Sequence, residues 1–179
     1  DDLLNVSKNI SFIQKKYKTE SALLSHIVFK RLSDQEQIVF VNQGSNHGVV
    51  KDMVAVYKNN LLGKVTEVFP TYSIIMLVTD KRCNVSVYCS WIKTKGILKG
   101  ANTGDHLLLT HVDRLKKLRK KELIISSGEG TIFPQGFRLG TVESFEPDGV
   151  HYKVIVEPSV NVSGLEYCYL LRKGAEATS

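Results

Sequence analysis

At 179 residues, 42% of them apolar and 23% charged, the chain can bury a core as one ordinary domain or two small ones. That balance excludes disordered and collagen-like chains, and no apolar run approaches the roughly 20 residues of a membrane-spanning helix. The net charge of +6 equals the charge of one segment, 114–121, so the rest of the chain is formally neutral and a chain-wide basic surface is excluded.

Residues 1–31 contain neither Gly nor Pro, and their apolar side chains recur at helical spacing. Leu3, Ile10, Tyr17 and Leu24 stand seven apart, and Val6, Ile13, Glu20 and Ile27 follow each three residues later. This register predicts an N-terminal α-helix of coiled-coil type over 1–33, with Leu3, Val6, Ile10, Ile13, Tyr17, Leu24 and Ile27 on a dimerisation seam. A stripe that narrow needs cover in water; the alternative to a second helix is the chain's own β region.

After Ser33-Asp34 the period changes to that of strands. Segments 38–41, 53–57, 61–69, 73–79 and 84–89 are short apolar runs parted by Gly, Asn or Pro, and Ile97-Leu98 adds a further strand or corner. A second series follows at 107–110, 123–126, 137–145, 150–157 and 167–171. Pro147-Asp148-Gly149 reads as a hairpin turn, with Val150, Tyr152, Val154 and Val156 on one face beyond it. The pattern predicts a mainly β fold of two small β-barrel domains in tandem. The first covers 36–94, with a strand from 159–173 as the candidate to return and complete it, and the second covers 95–158. Residues 174–179 carry no pattern and are expected to be a disordered tail.

Among residues that carry chemistry, Cys83, Cys89 and Cys168 match neither zinc nor redox spacing and read as buried free thiols. His106 and His111, with Asp105 beside them, fall on a strand and turn that scatter their side chains, so neither metal nor cofactor is expected. Ser127 in a Gly-rich turn is the nucleophile of an alternative reading, a trypsin-like serine hydrolase. Its base would be His26, His47, His106, His111 or His151, oriented by Asp80 or Asp105. Residue types alone do not make a triad, however, and Ser126-Ser127-Gly128 lacks the Gly-Asp that precedes a trypsin-like serine.

The basic run Arg114, Lys116, Lys117, Arg119, Lys120 and Lys121 suggests a second alternative, a nucleic-acid-binding barrel. Only leucines separate its charges, where a nucleic-acid groove interleaves aromatic platforms. A solvated connecting loop is the expectation, with an anionic membrane surface or an acidic partner as the lesser readings. By elimination the chain is expected to act by protein recognition, through exposed sheet edges or the cleft between barrels. Phe133, Phe137, Phe145 and Tyr152, near turns, are the candidate partner-binding anchors.

One resemblance spans nearly the whole chain. Gly44, Gly48-Val49, Met53-Val54, Leu62-Gly63-Lys64-Val65 and Leu77-Val78-Thr79-Asp80 are followed by Ser127-Gly128, Phe133-Pro134, Gly136 and Gly140-Thr141-Val142. In order and spacing these resemble the extracytoplasmic part of the rod shape-determining protein MreC family. Two positions depart from it: Asp52 stands where the family usually has Gly, and Lys121-Glu122 where it usually has Gly-Asp. The resemblance implies trypsin-like barrel architecture without catalysis, in a periplasmic scaffold of the bacterial cell-elongation machinery. It implies a homodimer or filament, anchored by a single membrane helix before Asp1 at the periplasmic face of the inner membrane. Such a scaffold binds and activates the elongation-specific penicillin-binding transpeptidase of peptidoglycan synthesis, and meets MreD and MreB through the part preceding Asp1. No nucleic acid is expected, and membrane contact only through that anchor.

Overall fold

From Ala22 onward the side chains alternate between two apolar interiors with a period of two residues, which is the geometry of strands. The computed structural model describes Lys8, Ser11, residues 22–130 and residues 132–172. Twelve strands cover most of them: β1 Ala22–Leu32, β2 Gln37–Val41, β3 Val54–Tyr57, β4 Asn60–Val68, β5 Ser73–Leu77, β6 Asn84–Cys89, β7 Lys95–Gly100, β8 Leu107–Asp113, β9 Leu123–Ser126, β10 Arg138–Asp148, β11 His151–Pro158 and β12 Tyr167–Leu171. They close into two rings of six. The first runs β4-β3-β12-β1-β2-β5 and back to β4; the second runs β11-β8-β7-β6-β9-β10 and back to β11.

The two interiors are continuous with the contact between the rings. On β3, Ala55 fills the first barrel while Val54 and Val56 face the second; on β12, Cys168 and Leu170 point inward while Tyr169 and Leu171 point across. One apolar cluster therefore holds Val54, Val56, Leu61, Tyr169 and Leu171 of the first barrel together with Val85, Leu98, Ile124, Phe137 and Val156 of the second. Each such side chain contributes about 1.5–3 kcal/mol by leaving water, so the barrels adhere along this wall.

A polar tie crosses the same junction. Asp80, fully buried, accepts hydrogen bonds from the Gln37 amide at 2.9 Å, from the Arg82 amide at 2.9 Å, and from Arg82 Nε and Nη2 at 2.9 and 2.8 Å. Asn102, in the turn after β7, receives the Lys81 amide on its side-chain oxygen at 2.7 Å and donates to the Asp34 carbonyl at 2.9 Å. Gly100 lies against the Asp80 carbonyl, where a Cβ would collide with backbone.

Several expectations are corrected. Ala22–Leu32 is a strand, so the helix expected over 1–33 does not extend through Leu24 and Ile27. Lys8 and Ser11 have helical backbone, and no α-helical element stands among the described residues. Leu3, Val6, Ile10, Ile13 and Tyr17 lie outside the described residues. The boundary placed at residue 94 moves to the Asp80–Cys83 turn, because β6 pairs with β7 and β9 and so belongs to the second barrel. Val150 occupies the hairpin turn beside Gly149 (φ 63°) rather than the face shared by Tyr152, Val154 and Val156. Ring closure gives every described strand two neighbours, so no whole strand stands at an edge; stretches paired on one side only remain, as in β1, where Ala22–His26 meets β12 and Ile27–Leu32 meets β2.

The two departures from the family pattern both fall on left-handed backbone: Asp52 has φ 69° and Lys121 φ 63°. Glu122 accounts for the second turn. Its carboxylate accepts the amides of Trp91, Ile92 and Arg119 and so fixes the loop that Lys121 closes.

Candidate functional site

Closed barrels recognise partners with side chains, and the outer wall of the first barrel carries a row of rings. Antiparallel pairing sets Phe29 of β1 directly opposite Phe40 of β2, with ring centroids 5.5 Å apart in an edge-to-face arrangement. The turn between β4 and β5 closes when the Phe69 amide donates to the Tyr72 carbonyl at 2.9 Å, and the two rings stack at 4.5 Å. Tyr72 in turn lies 6.3 Å from Phe40, which completes the row. Arg31 stands 5.8 Å over the Phe40 ring and pairs with Glu36 at 2.8 Å.

Phe29 is 53% exposed and Tyr72 37%, while a bulge between Ile27 and Phe29 leaves Val28 at 61%. In the ring order β2 lies across the barrel from β3, so this wall faces away from the second barrel. Rings held edge to face or stacked carry much apolar area with few rotatable bonds, and an exposed cluster of them is a protein-binding feature. This row was not foreseen from the sequence. Its signal was present only as isolated aromatics in three separate segments, which strand register alone brings together.

The four anchors expected from the sequence do not form one site. Phe137 is fully buried in the second barrel and cannot touch a partner on the folded surface, which corrects its assignment. Phe145 and Tyr152 pack edge to face at 5.2 Å between β10 and β11, half-buried against the core. Phe133 lines a groove of about 310 Å³ between the barrels, with Lys64, Arg82 and Glu129. A second groove, of about 560 Å³, runs past Asp34, Asn102, Asp105 and Glu157.

Several residues of the hydrolase reading make other contacts. Ser127 Oγ accepts the Glu129 amide at 3.3 Å, His47 Nδ1 accepts the Gly44 amide at 3.1 Å, and His111 meets Thr110 Oγ1 and the His151 ring. Asp80 is committed to Arg82 and Gln37. Cys83, Cys89 and Cys168 are free and buried, and burial pushes each thiol up to about 12, far from thiolate chemistry at neutral pH. Among the described residues no group of His, Cys, Asp and Glu is arranged to hold a metal ion.

The model of the rod shape-determining protein MreC barrel core matches residues 27–172, from β1 to just past β12. The chain belongs to the MreC family. It is 27% identical over 161 residues to the cell shape-determining protein MreC of Listeria monocytogenes, which covers 87% of this chain and 55% of that protein. The chain thus spans about half the length of the curated MreC relatives it matches. A crystal structure of MreC from Pseudomonas aeruginosa superposes with a TM-score of 0.81 at 24% identity, over 86% of this chain and all of that one. A chain of the solved complex between the penicillin-binding protein PBP2 and MreC from Helicobacter pylori gives a TM-score of 0.63 at 18% identity, over 86% of this chain and 100% of that chain. The twin-barrel arrangement is thus the MreC fold.

Proposed function

We propose that the chain is the extracytoplasmic barrel core of a noncatalytic scaffold in the cell-elongation machinery, which binds and activates the elongation-specific penicillin-binding transpeptidase. The observation that carries this reading is the aromatic row of exposed Phe29 and Tyr72 with half-buried Phe40 and Phe69, a preorganised apolar surface on a family member whose fold relative from Helicobacter pylori was solved with PBP2. The whole protein would sit at the periplasmic face of the inner membrane on a single membrane helix. It would meet MreD and MreB through the part before this chain, and self-associate through the heptad positions Leu3, Val6, Ile10, Ile13 and Tyr17.

Binding of the chain to the extracytoplasmic part of the cognate transpeptidase, measured by biolayer interferometry, tests the reading. The double variant Phe29→Ser with Tyr72→Ser should raise Kd at least about tenfold, since exposed aromatic anchors carry most of such an interface. A parallel variant at Phe145 and Tyr152 tests the anchors expected from the sequence. An unchanged Kd for the first pair removes the row from the interface, and no binding by the unaltered chain overturns the function.

A further inference from the structure

The three most exposed large apolar side chains among the described residues are Leu115, Val150 and Trp91, at 89%, 76% and 67%. All three sit at one end of the second barrel. Leu115 follows β8, Val150 is in the turn from β10 to β11, and Trp91 lies between β6 and β7; the register Asp113 opposite His151 and Cys89 opposite Ile124 brings these loops to the same rim. The loops are tied to one another. The Arg114 amide donates to the Val150 carbonyl at 3.2 Å, Arg114 Nη1 to the Gly149 carbonyl at 3.3 Å, and the Arg119 guanidinium lies 4.4 Å over the Trp91 ring. Leu118, buried, pins the middle of the segment to the core.

The six cations of the chain's one basic run stand on this rim, and among the described residues none of them makes an ion pair. The nearest carboxylates are turned onto backbone. Glu122 is buried and accepts the amides of Trp91 and Ile92, each at 2.9 Å, and that of Arg119 at 3.3 Å; Asp113 accepts the Leu115 amide at 2.8 Å. Glu143, Glu146 and Asp148 of β10 are exposed and reach out beside the run, and none of them forms an ion pair with its cations. The outcome is a rigid rim of apolar tips set among unpaired positive charges.

We propose that this rim docks on an anionic lipid surface, the cations meeting phosphate headgroups while Trp91, Leu115 and Val150 enter the interfacial layer. Tryptophan and lysine are the side chains that suit that layer, and apolar tips gain there what they lose in water. A nucleic acid would answer the charge but give Leu115 and Val150 little apolar cover, and Arg119 already covers one face of the only Trp in the chain. The rim therefore gives the basic run a role beyond a solvated loop, and adds a membrane contact to the single anchor that the family resemblance implies. The proposal does not depend on transpeptidase binding.

Because Trp91 is the chain's single Trp, its fluorescence reports the event directly. The chain is mixed with vesicles of phosphatidylcholine alone, or of phosphatidylcholine with an equal part of phosphatidylglycerol. Cosedimentation with the anionic vesicles only, weakened by salt, with a blue shift and protection from acrylamide, is the expected result. Leu115→Ser with Val150→Ser, both largely exposed positions whose change keeps every charge, should lower partitioning about tenfold, and Gln at Lys116, Lys117, Lys120 and Lys121 by at least as much. Equal partitioning to both vesicle types, no partitioning, or an apolar variant that binds as well as the unaltered chain overturns the proposal. Tighter binding to a single-stranded oligonucleotide than to the anionic vesicles also overturns it, in favour of nucleic acid.

Discussion

Asp80 has no exposed surface, yet it is ionised at neutral pH because its surroundings supply what water would. Burial by itself raises its pKa; the Arg82 side chain, the amides of Gln37 and Arg82, and the Arg82 charge outweigh that and hold the carboxyl below its ordinary 3.8. A folded pKa below the unfolded one means that the ion stabilises the fold in full above about pH 4, and that this contribution is lost as the pH falls through the folded value. Asp80→Asn should therefore destabilise the chain by about 2 kcal/mol at pH 7 in urea titrations, since it leaves Arg82 and an amide imperfectly paired. The gap to the unaltered chain should narrow at pH 3, and identical urea midpoints at pH 7 would remove Asp80 from the account. Single residues were legible in uneven measure. Spacing ruled out a zinc or redox motif for the cysteines, and the preferred reading of buried free thiols agrees with the structure. Phe137 does not, because an aromatic beside a turn looks the same in sequence whether its ring points out or, as here, into the core.

At the scale of elements, β12 decides whether the first barrel exists as a closed object. It enters between β1 and β3 after the whole second barrel has been built, pairing Ala22 with Leu171 and Val56 with Tyr169. A chain ending at Ser159 would leave β1 and β3 as open edges and uncover Ile27, Val41 and Ala55 beneath them. Such a truncation should aggregate or lose its cooperative melt in size-exclusion and thermal measurements; a monomer with the original Tm would contradict the closure. Nearly every strand after residue 36 was legible from period and punctuation, β6, β9 and β12 to the residue. Strand β1 was not, for a physical reason. Its inward series Leu23, Ser25, Ile27 is broken by a buried serine and its outward Leu24 is covered by the larger core cluster, so alternation in burial is not alternation in hydrophobicity. Leu24 and Ile27, three apart, share a face on a helix but oppose each other on a strand.

For the whole molecule, a single apolar cluster running from the outer face of β3, β4 and β12 through the second barrel argues against two independent folding units. Differential scanning calorimetry should show one transition, with calorimetric and van't Hoff enthalpies in agreement, despite the twin-barrel topology. Two separated transitions would mean that the shared wall contributes less than its burial implies. The tandem plan was readable from strand spacing. The insertion of one barrel into the other was readable only as a candidate returning strand, because nothing local in 167–171 says which edge it will join. That insertion has a mechanical consequence. Ladder bonds lie perpendicular to their strands, so tension drawn along β1 from Ala22 loads the rungs to β12 in shear first and those to β2, farther along the strand, after them. The second barrel, entered after Asp80 and left at Pro158, lies off that load path. A tug on the leading end would be borne by the first barrel while the inserted one stays slack.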